Sequence, residues 1–229
     1  MSRLKQYIIE GKEKDIILKL KRDCKPFLDQ LHDRFLYRGT GKPVIDIRKY
    51  KPRKNRRPRD ISILVHTIFD KLFKEKFGWK ARSEGVFTTG DQVLASRYGK
   101  DTLFFPIGQF KYLWSPKVDD LYAKIPGNEF PFSIIKTALY TDEDITVDKY
   151  LKRLFNKNRT EFTTNLSYKK FKKLIIDKTT ERIKPYINDF TNTNLSQGIK
   201  SGHEIAFLCS SYYVVSSKYL TVLEQEFND

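Results

Sequence analysis

The stretch that most constrains the fold is SGHEIAFLCSSYYVVS, residues 201–216. Its two halves are rich in β-branched and aromatic residues, which is typical of buried strands. We predict a β-hairpin with strands at 203–208 and 211–216, joined by the two residues between them. Glu204 enters the first strand beside an apolar run, where a carboxylate is costly to bury unless it is paired or used. Taken alone, this glutamate is more typical of a strand end that is solvated or salt-bridged to a lysine.

The composition is that of a globular chain with a large excess of positive charge. Its 229 residues are 39% hydrophobic and 14% aromatic, which is enough for a real core. The net charge of +16 attracts polyanions: nucleic acid, nucleotides or an anionic membrane surface. Solvated lysine-rich faces are the alternative. A membrane ranks last among the partners because no basic amphipathic helix with a clean apolar face stands out.

The cysteines and the N-terminal residues indicate neither a metal site nor a secretory route. Cys24 and Cys209 lack metal-ligand spacing and the three histidines are scattered, so we expect no metal. No apolar run is long enough to cross a bilayer, and residues 1–15 have no signal-peptide core. We therefore expect a cytoplasmic protein with reduced thiols and no membrane partner.

A helical segment and a short strand open the chain. Apolar residues recur at helical spacing across 13–34, and Pro26 is expected to break that helix. Residues 35–41, FLYRGTG, then predict a short apolar strand that ends in a polar, glycine-flanked turn, with Arg38 at the strand end. An arginine at a strand end can bind a phosphate bidentately, and Gly39 would let a ligand approach the backbone. Alone, the segment is more typical of a surface arginine beside a turn.

The run RKYKPRKNRRPR, residues 48–59, holds eight basic residues among twelve. Its prolines and mutual repulsion predict an extended, mobile loop. Tyr50 could stack on a base, so the run is a candidate polyanion contact, with a solvated loop as the alternative. The basic residues assigned to the acceptor are Arg53, Lys54, Arg56 and Arg57. A second basic cluster, 169–173, falls in a helical pattern.

Residues 85–99, GVFTTGDQVLASRYG, predict a strand, a hydroxyl-bearing turn and a short helix. Asp91 is expected to cap that helix and Gly99 to close it. The hydroxyls of Thr88 and Thr89 could bond to a ligand or hold a neighbouring catalytic carboxylate. Local capping is the common alternative for such hydroxyls.

The remaining segments complete a mixed α and β pattern. Helices are predicted at 60–77, with Asp60 as the N-cap, across 146–185, and from Ser115–Pro116 onwards. Two strands are expected around a turn at 106–108, and a polar loop at 191–201. His66 is interpreted as a helix-packing histidine.

In this order, the segments around Arg38, Thr88 and Glu204 resemble the arginine–serine–glutamate branch of the ADP-ribosyltransferase superfamily. The matching pieces are Leu36-Tyr37-Arg38-Gly39-Thr40, Val86-Phe87-Thr88-Thr89-Gly90, and Glu204-Ile205-Ala206-Phe207 with Tyr213-Val214-Val215. The resemblance implies one α+β domain: a split, mostly antiparallel β core with inserted helices. Its expected parts are an N-terminal helical segment at 1–34, a catalytic core at 35–216 and a C-terminal helix at 217–229.

The resemblance also implies a chemistry, the cleavage of NAD and the transfer of ADP-ribose to a nucleophile. Arg38 would bind the NAD phosphates, and Thr88 would place the glutamate. Glu204 would bond to the nicotinamide ribose and stabilise an oxocarbenium-like transition state, because an ionised carboxylate favours developing positive charge. The other residues assigned to NAD binding are Gly39, Thr40, Phe87, Thr89 and Tyr98.

Two departures from the family pattern bear on the acceptor. The hydroxyl strand lacks its last serine, and Gly202 stands where arginine-modifying members carry a second glutamate. Gly202 and His203 would therefore lie beside a different acceptor. With the net charge of +16, we expect nucleic acid, RNA rather than DNA. A toxin or antiphage effector, with a possible antitoxin partner, fits this reaction. The alternatives are a phage-type enzyme that modifies a host protein and a non-catalytic nucleic-acid-binding protein.

Overall fold

The structure is a computed structural model that describes residues 3–32, 34–58, 61–119, 121, 130–136, 145–158 and 166–227. In chain order its elements are α1 (Arg3–Asp23), α2 (Lys25–Leu28), β1 (Tyr37–Thr40), β2 (Ile47–Tyr50), α3 (Ile63–Phe77), α4 (Ala81–Glu84), β3 (Val86–Thr89), α5 (Gln92–Ser96), β4 (Lys100–Pro106), β5 (Phe110–Trp114), α6 (Phe132–Lys136), α7 (Val147–Lys157), α8 (Tyr168–Asn188), α9 (Leu195–Ser201), β6 (Glu204–Cys209), β7 (Tyr212–Ser216), a 3-10 turn (Ser217–Tyr219) and α10 (Leu220–Phe227). None of the described helices is both long and apolar enough to cross a membrane.

The contacts divide the chain into two compact units, each made of separate sequence segments. The first unit takes Met1–Arg53, Gly85–Asp119 and Thr191–Asp229, and it contains the sheet. The second unit takes Lys54–Glu84 and Asp120–Phe190, and its described elements are helices. The expectation of a single domain stays a prediction.

The first unit is built on a seven-stranded antiparallel sheet in the order β2-β7-β4-β1-β3-β6-β5. β1 meets β3 at one residue pair, Tyr37 with Thr89, whereas the β1–β4 and β3–β6 ladders each have four. The sheet therefore has two well-paired halves, β2-β7-β4-β1 and β3-β6-β5, joined by a short contact. The predicted α+β class with antiparallel strands is confirmed.

The predicted hairpin at 203–216 is wrong, although both of its strands exist. β6 pairs with β3 and β5, whereas β7 pairs with β4 and β2. Ser210 and Ser211 carry the chain from one half of the sheet to the other. Both hydrogen-bonding edges of each strand are used by other partners, so β6 and β7 cannot pair with each other.

The core of the first unit joins the two halves of the sheet through aromatic rings. The rings of Phe104 on β4 and Phe207 on β6 lie 5.2 Å apart, and both residues are fully buried. Phe27 on α2 packs edge-on against Phe207 at 6.2 Å. The predicted break near Pro26 is confirmed, because α1 ends at Asp23 and α2 starts afresh at Lys25. That break places the ring of Phe27 in the core.

The second unit contains the inserted helices that the sequence predicts at 60–77 and 146–185. α3 starts at Ile63, and the hydroxyl of Ser62 caps it by accepting from the Val65 amide at 3.2 Å. The predicted cap, Asp60, lies outside the described residues, and the cap seen is Ser62. His66 is confirmed as a packing histidine: it is buried, with Nε2 3.0 Å from the hydroxyl of Ser83.

Two other local predictions are wrong. Residues 115–119 form turns rather than a helix, with the hydroxyl of Ser115 accepting from the Lys117 and Val118 amides. The predicted loop at 191–201 contains α9, whose Leu195 and Ile199 are buried one turn apart. Both side chains lie on one face of α9 and belong to the core cluster that contains the strand residues of the first unit. The C-terminal helix is confirmed as α10.

Candidate functional site

The sheet brings together the three strands that carry the sequence motifs. β1, β3 and β6 are consecutive in the strand order, so Arg38, Thr88 and Glu204 lie on neighbouring strands despite their separation in sequence. All three belong to the first unit. Adjacency of these strands is a condition that any site built from the three residues must meet.

Arg38 lies inside β1, beside the junction where β1 and β3 stop pairing. The predicted strand end at Arg38 is wrong, because Gly39 and Thr40 continue β1 and pair with β4. Its side chain is half-buried, and Nη1 donates to the carbonyl oxygen of Phe87 at 2.6 Å. The guanidinium also lies 5.8 Å from the ring centroid of Tyr212. Burial raises the pKa of the Tyr212 hydroxyl, and the nearby Arg38 charge partly offsets that rise. Because a guanidinium has five N–H donors, these contacts leave donors for an anionic ligand.

The two threonines of β3 use their hydroxyls on the backbone of the chain itself. Thr88 is 4% exposed and donates to the carbonyl oxygen of Ile205 at 3.1 Å. Thr89 donates to the carbonyl oxygen of Gly202 and accepts from the Asp91 amide at 3.0 Å. Thr88 therefore ties β3 to β6, and Thr89 ties β3 to the turn before Glu204.

Glu204 is the first residue of β6, and its side chain is half-buried. Its amide donates to the carbonyl oxygen of Asp119 at 3.1 Å. In the β3–β6 register, Glu204 is opposite Thr89 and Ile205 is opposite Thr88. Paired residues share a face and successive residues alternate, so Glu204 shares a face with Thr89 and not with Thr88. The register does not bring the Thr88 hydroxyl to the face of Glu204.

Gly39 serves the packing of the chain. A Cβ at this position would lie 2.5 Å from the carbonyl oxygen of Ala95 and 2.7 Å from the carbonyl carbon of Tyr98. The end of α5 and the residues after it occupy the space beside the Cα of Gly39, and the assignment of Gly39 to NAD binding stays a prediction. Next to it, the hydroxyl of Thr40 lies within hydrogen-bond distance of the carbonyl oxygens of Lys42 and Lys100, at 3.0 and 3.1 Å, and donates its one proton to either. Tyr98 itself is 68% exposed.

Gly202 and His203 form the turn between α9 and β6. Gly202 ends α9 with φ of 72°, in the left-handed region that favours glycine. Nδ1 of His203 donates to the carbonyl oxygen of Ser115 at 2.8 Å. The absence of a carboxylate at residue 202 thus has a conformational reason that is independent of any acceptor.

The four basic residues assigned to the acceptor are all exposed, but they are divided between the units. Arg53 ends the first segment of the first unit, and Lys54 opens the second unit. Arg56 and Arg57 follow in the second unit, where the Arg56 amide donates to the carbonyl oxygen of Ser83 at 3.0 Å. The segment 51–58 carries no helix or strand, which agrees with the predicted extended loop.

A cavity of about 590 Å³ lies in the first unit at the end of β1. Charges of both signs line it, with Arg34 and Lys200 against Asp91 and Glu224. Its remaining lining residues are Phe35, Tyr37, Gly90, Gln92, Val93, Ser201 and Gly202. The sequence pattern did not indicate this cavity, because Arg34, Lys200 and Glu224 come from three distant segments.

Metal ligation has no support among the described residues. They contain no group of three or more His, Cys, Asp or Glu side chains that could hold a metal ion. Cys24 and Cys209 are free and buried, and burial raises the pKa of each thiol to about 12. A thiol with so high a pKa is protonated at neutral pH and is a poor nucleophile.

The chain matches no family model, no curated protein and no solved structure.

Proposed function

We propose that the chain is an NAD-dependent ADP-ribosyltransferase that modifies nucleic acid, with RNA as the first candidate acceptor. The observation that carries the proposal is the adjacency of β1, β3 and β6, which places Arg38 and Glu204 on strands separated by β3 alone. The register puts Tyr37 and Thr89 on the face of Glu204 and Arg38 on the face of Thr88, so NAD would have to reach both faces where β1 and β3 stop pairing. The resemblance to the family requires this adjacency, and composition gives no reason to expect it. The half-buried guanidinium of Arg38 adds a group suited to a pyrophosphate.

In this reaction the bond between nicotinamide and ribose C1′ breaks, and nicotinamide leaves with the bonding electrons. A nucleophilic atom of the acceptor base forms the new bond to C1′ and loses its proton to solvent. Arg38 binds the pyrophosphate through its remaining N–H donors. The ionised carboxylate of Glu204 stabilises the positive charge that develops on the ribose.

The structure changes the role that the proposal gives to the threonines. Thr89, rather than Thr88, shares a face with Glu204, and its hydroxyl bonds to the Gly202 carbonyl two residues before the glutamate. Thr89 is therefore a positioning residue for the turn that presents Glu204. Thr88 holds β3 to β6 through Ile205.

The acceptor is inferred from charge. The net charge of +16 and the exposed basic run between β2 and α3 favour a polyanion. Because Gly202 ends a helix in the left-handed region, its identity no longer argues against a protein acceptor. The preference for nucleic acid therefore depends on charge alone.

The test is incubation of the protein with NAD labelled in its adenylate part, together with RNA, DNA and cell lysate in separate reactions. Label that is attached to nucleic acid and released by nuclease supports the proposal. Label that resists nuclease and disappears with protease would identify a protein-modifying enzyme of the phage type. Glu204→Gln protein is the matched control, because it keeps the side-chain size and loses the charge.

A non-catalytic nucleic-acid-binding protein is the second candidate, and one observation favours it. Arg38 and Thr88 leave one face of the sheet and Glu204 leaves the other, so the chain lacks the arginine–hydroxyl–glutamate arrangement that the resemblance implies. This candidate predicts salt-dependent binding of nucleic acid with no consumption of NAD. The same incubation separates the two candidates when the release of nicotinamide is also measured.

A further inference from the structure

Four side chains of the first unit form a continuous stack in which arginines flank two tyrosine rings. Arg38 lies 5.8 Å from the ring centroid of Tyr212, and the Tyr212 and Tyr50 rings are stacked at 5.8 Å with 19° between their planes. Arg48 lies 5.3 Å from the ring centroid of Tyr50. We call these four residues, Arg38, Tyr212, Tyr50 and Arg48, the arginine–tyrosine ladder.

The ladder runs from the interior of the sheet to its edge. Tyr212 is 6% exposed, Tyr50 is half-buried and Arg48 is exposed. Tyr50 is directly opposite Tyr212 in the β2–β7 register, and β2 is the last strand on its side of the sheet. The outer end of the ladder is thus accessible to a ligand, while its inner end is fixed by the core.

The charge around the outer end is of one sign. The edge strand and the residues after it read RKYKPR from 48 to 53, with four basic residues and no acidic one. Arg48, Lys51 and Arg53 are all exposed. An accessible aromatic ring among cations is the combination that binds single-stranded nucleic acid, since rings stack on bases and cations bind phosphates.

We propose that the arginine–tyrosine ladder binds single-stranded nucleic acid, with a base stacked on Tyr50 and phosphates bound by Arg48 and the basic residues after it. The exposed contact between Arg48 and Tyr50 is weak in water, so a base can replace the guanidinium on the ring. The released guanidinium then binds the adjacent phosphate bidentately. Duplex nucleic acid cannot bind in this way because its bases are stacked within the helix.

This inference deepens the proposed function, since it gives the acceptor a site that shares Arg38 with the proposed NAD site. Binding at the outer end of the ladder does not require NAD, however. The binding measurement can therefore succeed when ADP-ribosyl transfer fails, and the reverse also holds.

The experiment measures fluorescence anisotropy of a labelled RNA of about 12 nucleotides, single-stranded and as the duplex of the same sequence. Tyr50→Leu removes the ring and should lower the affinity for the single strand by about 10-fold, with little change for the duplex. Tyr50→Phe keeps the ring and should bind like the wild type. Arg48→Ala should weaken binding of the single strand. It should also reduce the slope of log affinity against log salt concentration by about 1, because one phosphate contact is lost.

Lys111→Ala is the matched control, because Lys111 is an exposed cation on β5 at the opposite edge of the sheet. It should leave both the affinity and the salt dependence near those of the wild type. Thermal unfolding of each variant shows whether the fold is retained. If Tyr50→Leu unfolds, Arg48→Ala and Tyr50→Phe decide the question.

Three results would overturn the inference. The first is unchanged single-strand binding by folded Tyr50→Leu and Arg48→Ala proteins. The second is an equal loss for single strand and duplex in Tyr50→Leu, which would show a charge effect without stacking. The third is a loss in Lys111→Ala as large as that in Arg48→Ala, which would mean that binding depends on net charge and not on the ladder.

Discussion

Glu204 and Thr88 lie on neighbouring strands but on opposite faces of the sheet, because Glu204 is paired with Thr89 and Thr88 with Ile205. A catalytic glutamate and a hydroxyl that positions it directly would need to share a face. The hydroxyl that shares the face of Glu204 belongs to Thr89, and it is bonded to the backbone of the turn before the glutamate. Catalysis through Glu204 and structural support through Thr88 are therefore separable by mutation.

Glu204→Gln should reduce ADP-ribosyl transfer by about 100-fold, because it removes one electrostatic contact to the developing positive charge. Thr88→Val should transfer ADP-ribose at close to the wild-type rate while losing roughly 1 kcal/mol of unfolding free energy with its buried hydrogen bond. Labelled-NAD kinetics and urea unfolding measure the two effects. If Glu204→Gln transfers ADP-ribose at the wild-type rate, Glu204 is not catalytic. If Thr88→Val is as stable as the wild type but transfers ADP-ribose slowly, Thr88 acts directly in the reaction.

Local signals in the sequence predict several of the helices and the cap at Asp91. Asp91 was predicted to cap a helix, and its carboxylate accepts from the Val93 and Leu94 amides. The apolar spacing of α3 and the break before Pro26 were equally visible, because both depend on residues within a few turns of one another. The short α9 was missed because its flanking residues are polar and two buried side chains fold it.

Strand pairing and the faces of the site residues could not be predicted in the same way. β-branched and aromatic residues identify β6 and β7 as strands but do not specify their partners, and the predicted pairing of these two strands is wrong. A shift of one residue in register exchanges the two faces, so the side of Glu204 depends on the long-range pairing of β3 with β6. The ladder was missed for the same reason, since Tyr50 meets Tyr212 only through the pairing of β2 with β7.

Arg38→Lys should abolish most of the thermal stabilisation by NAD. Lysine keeps the charge but lacks the planar fork that can bond to the Phe87 carbonyl and a phosphate together. Differential scanning fluorimetry over a series of NAD concentrations measures the effect, because ligand stabilisation follows mass action. Arg97→Lys, at an exposed arginine just after α5, is the control. Equal NAD-induced shifts in melting temperature for Arg38→Lys and the wild type would exclude Arg38 from the NAD site.

Gly202→Glu should destabilise the protein rather than redirect it to arginine acceptors. Residue 202 has φ of 72°, where a side chain with a Cβ costs on the order of 1–2 kcal/mol. Gly202→Asn should be tolerated better, because asparagine enters the left-handed region more readily. Urea unfolding gives the two free energies. Equal unfolding free energies of the Glu and Asn variants would show that the end of α9 adapts to a side chain. If Gly202→Glu modifies arginine, residue 202 helps to select the acceptor.

Asp46→Asn should lower the free energy of unfolding at neutral pH, and the difference from the wild type should disappear in acid. Hydrogen bonds from Lys218 and Tyr219 lower the pKa of the Asp46 carboxyl to about 2, below its ordinary value of about 3.9. A depressed pKa stabilises the fold above the unfolded pKa, and that contribution disappears as the pH falls from about 4 to about 2. The loss at pH 7 should be roughly 1 kcal/mol, as for a partly exposed ion pair.

Unfolding free energies at a series of pH values between about 2 and 7 test this dependence. Asp15→Asn, at an exposed carboxylate of α1, controls for the change in net charge. A difference between Asp46→Asn and the wild type that stays constant down to pH 2 would show that the carboxylate charge does not stabilise the contact with Lys218.

Removal of four cations from residues 53–57 of the basic run should change how nucleic-acid binding depends on salt. Alanine at Arg53, Lys54, Arg56 and Arg57 removes four exposed cations. If each contacts a phosphate, the slope of log affinity against log salt should fall by about 3 for single-stranded RNA, since each neutralised phosphate releases part of a counterion. The apparent KM for nucleic acid should rise, while the slow hydrolysis of NAD by water should stay near wild type because Arg38 and Glu204 are unchanged.

The matched control removes the same number of charges from exposed lysines of the second unit, at Lys71, Lys74, Lys80 and Lys184. Its slope should stay close to that of the wild type, because a general field effect is screened beyond about 10 Å at moderate salt. Equal slopes for the two quadruple variants would mean that the run at 53–57 makes no specific phosphate contacts. Loss of NAD hydrolysis in the first variant alone would contradict the expectation that removing these cations affects the binding of nucleic acid and not the reaction of NAD with water.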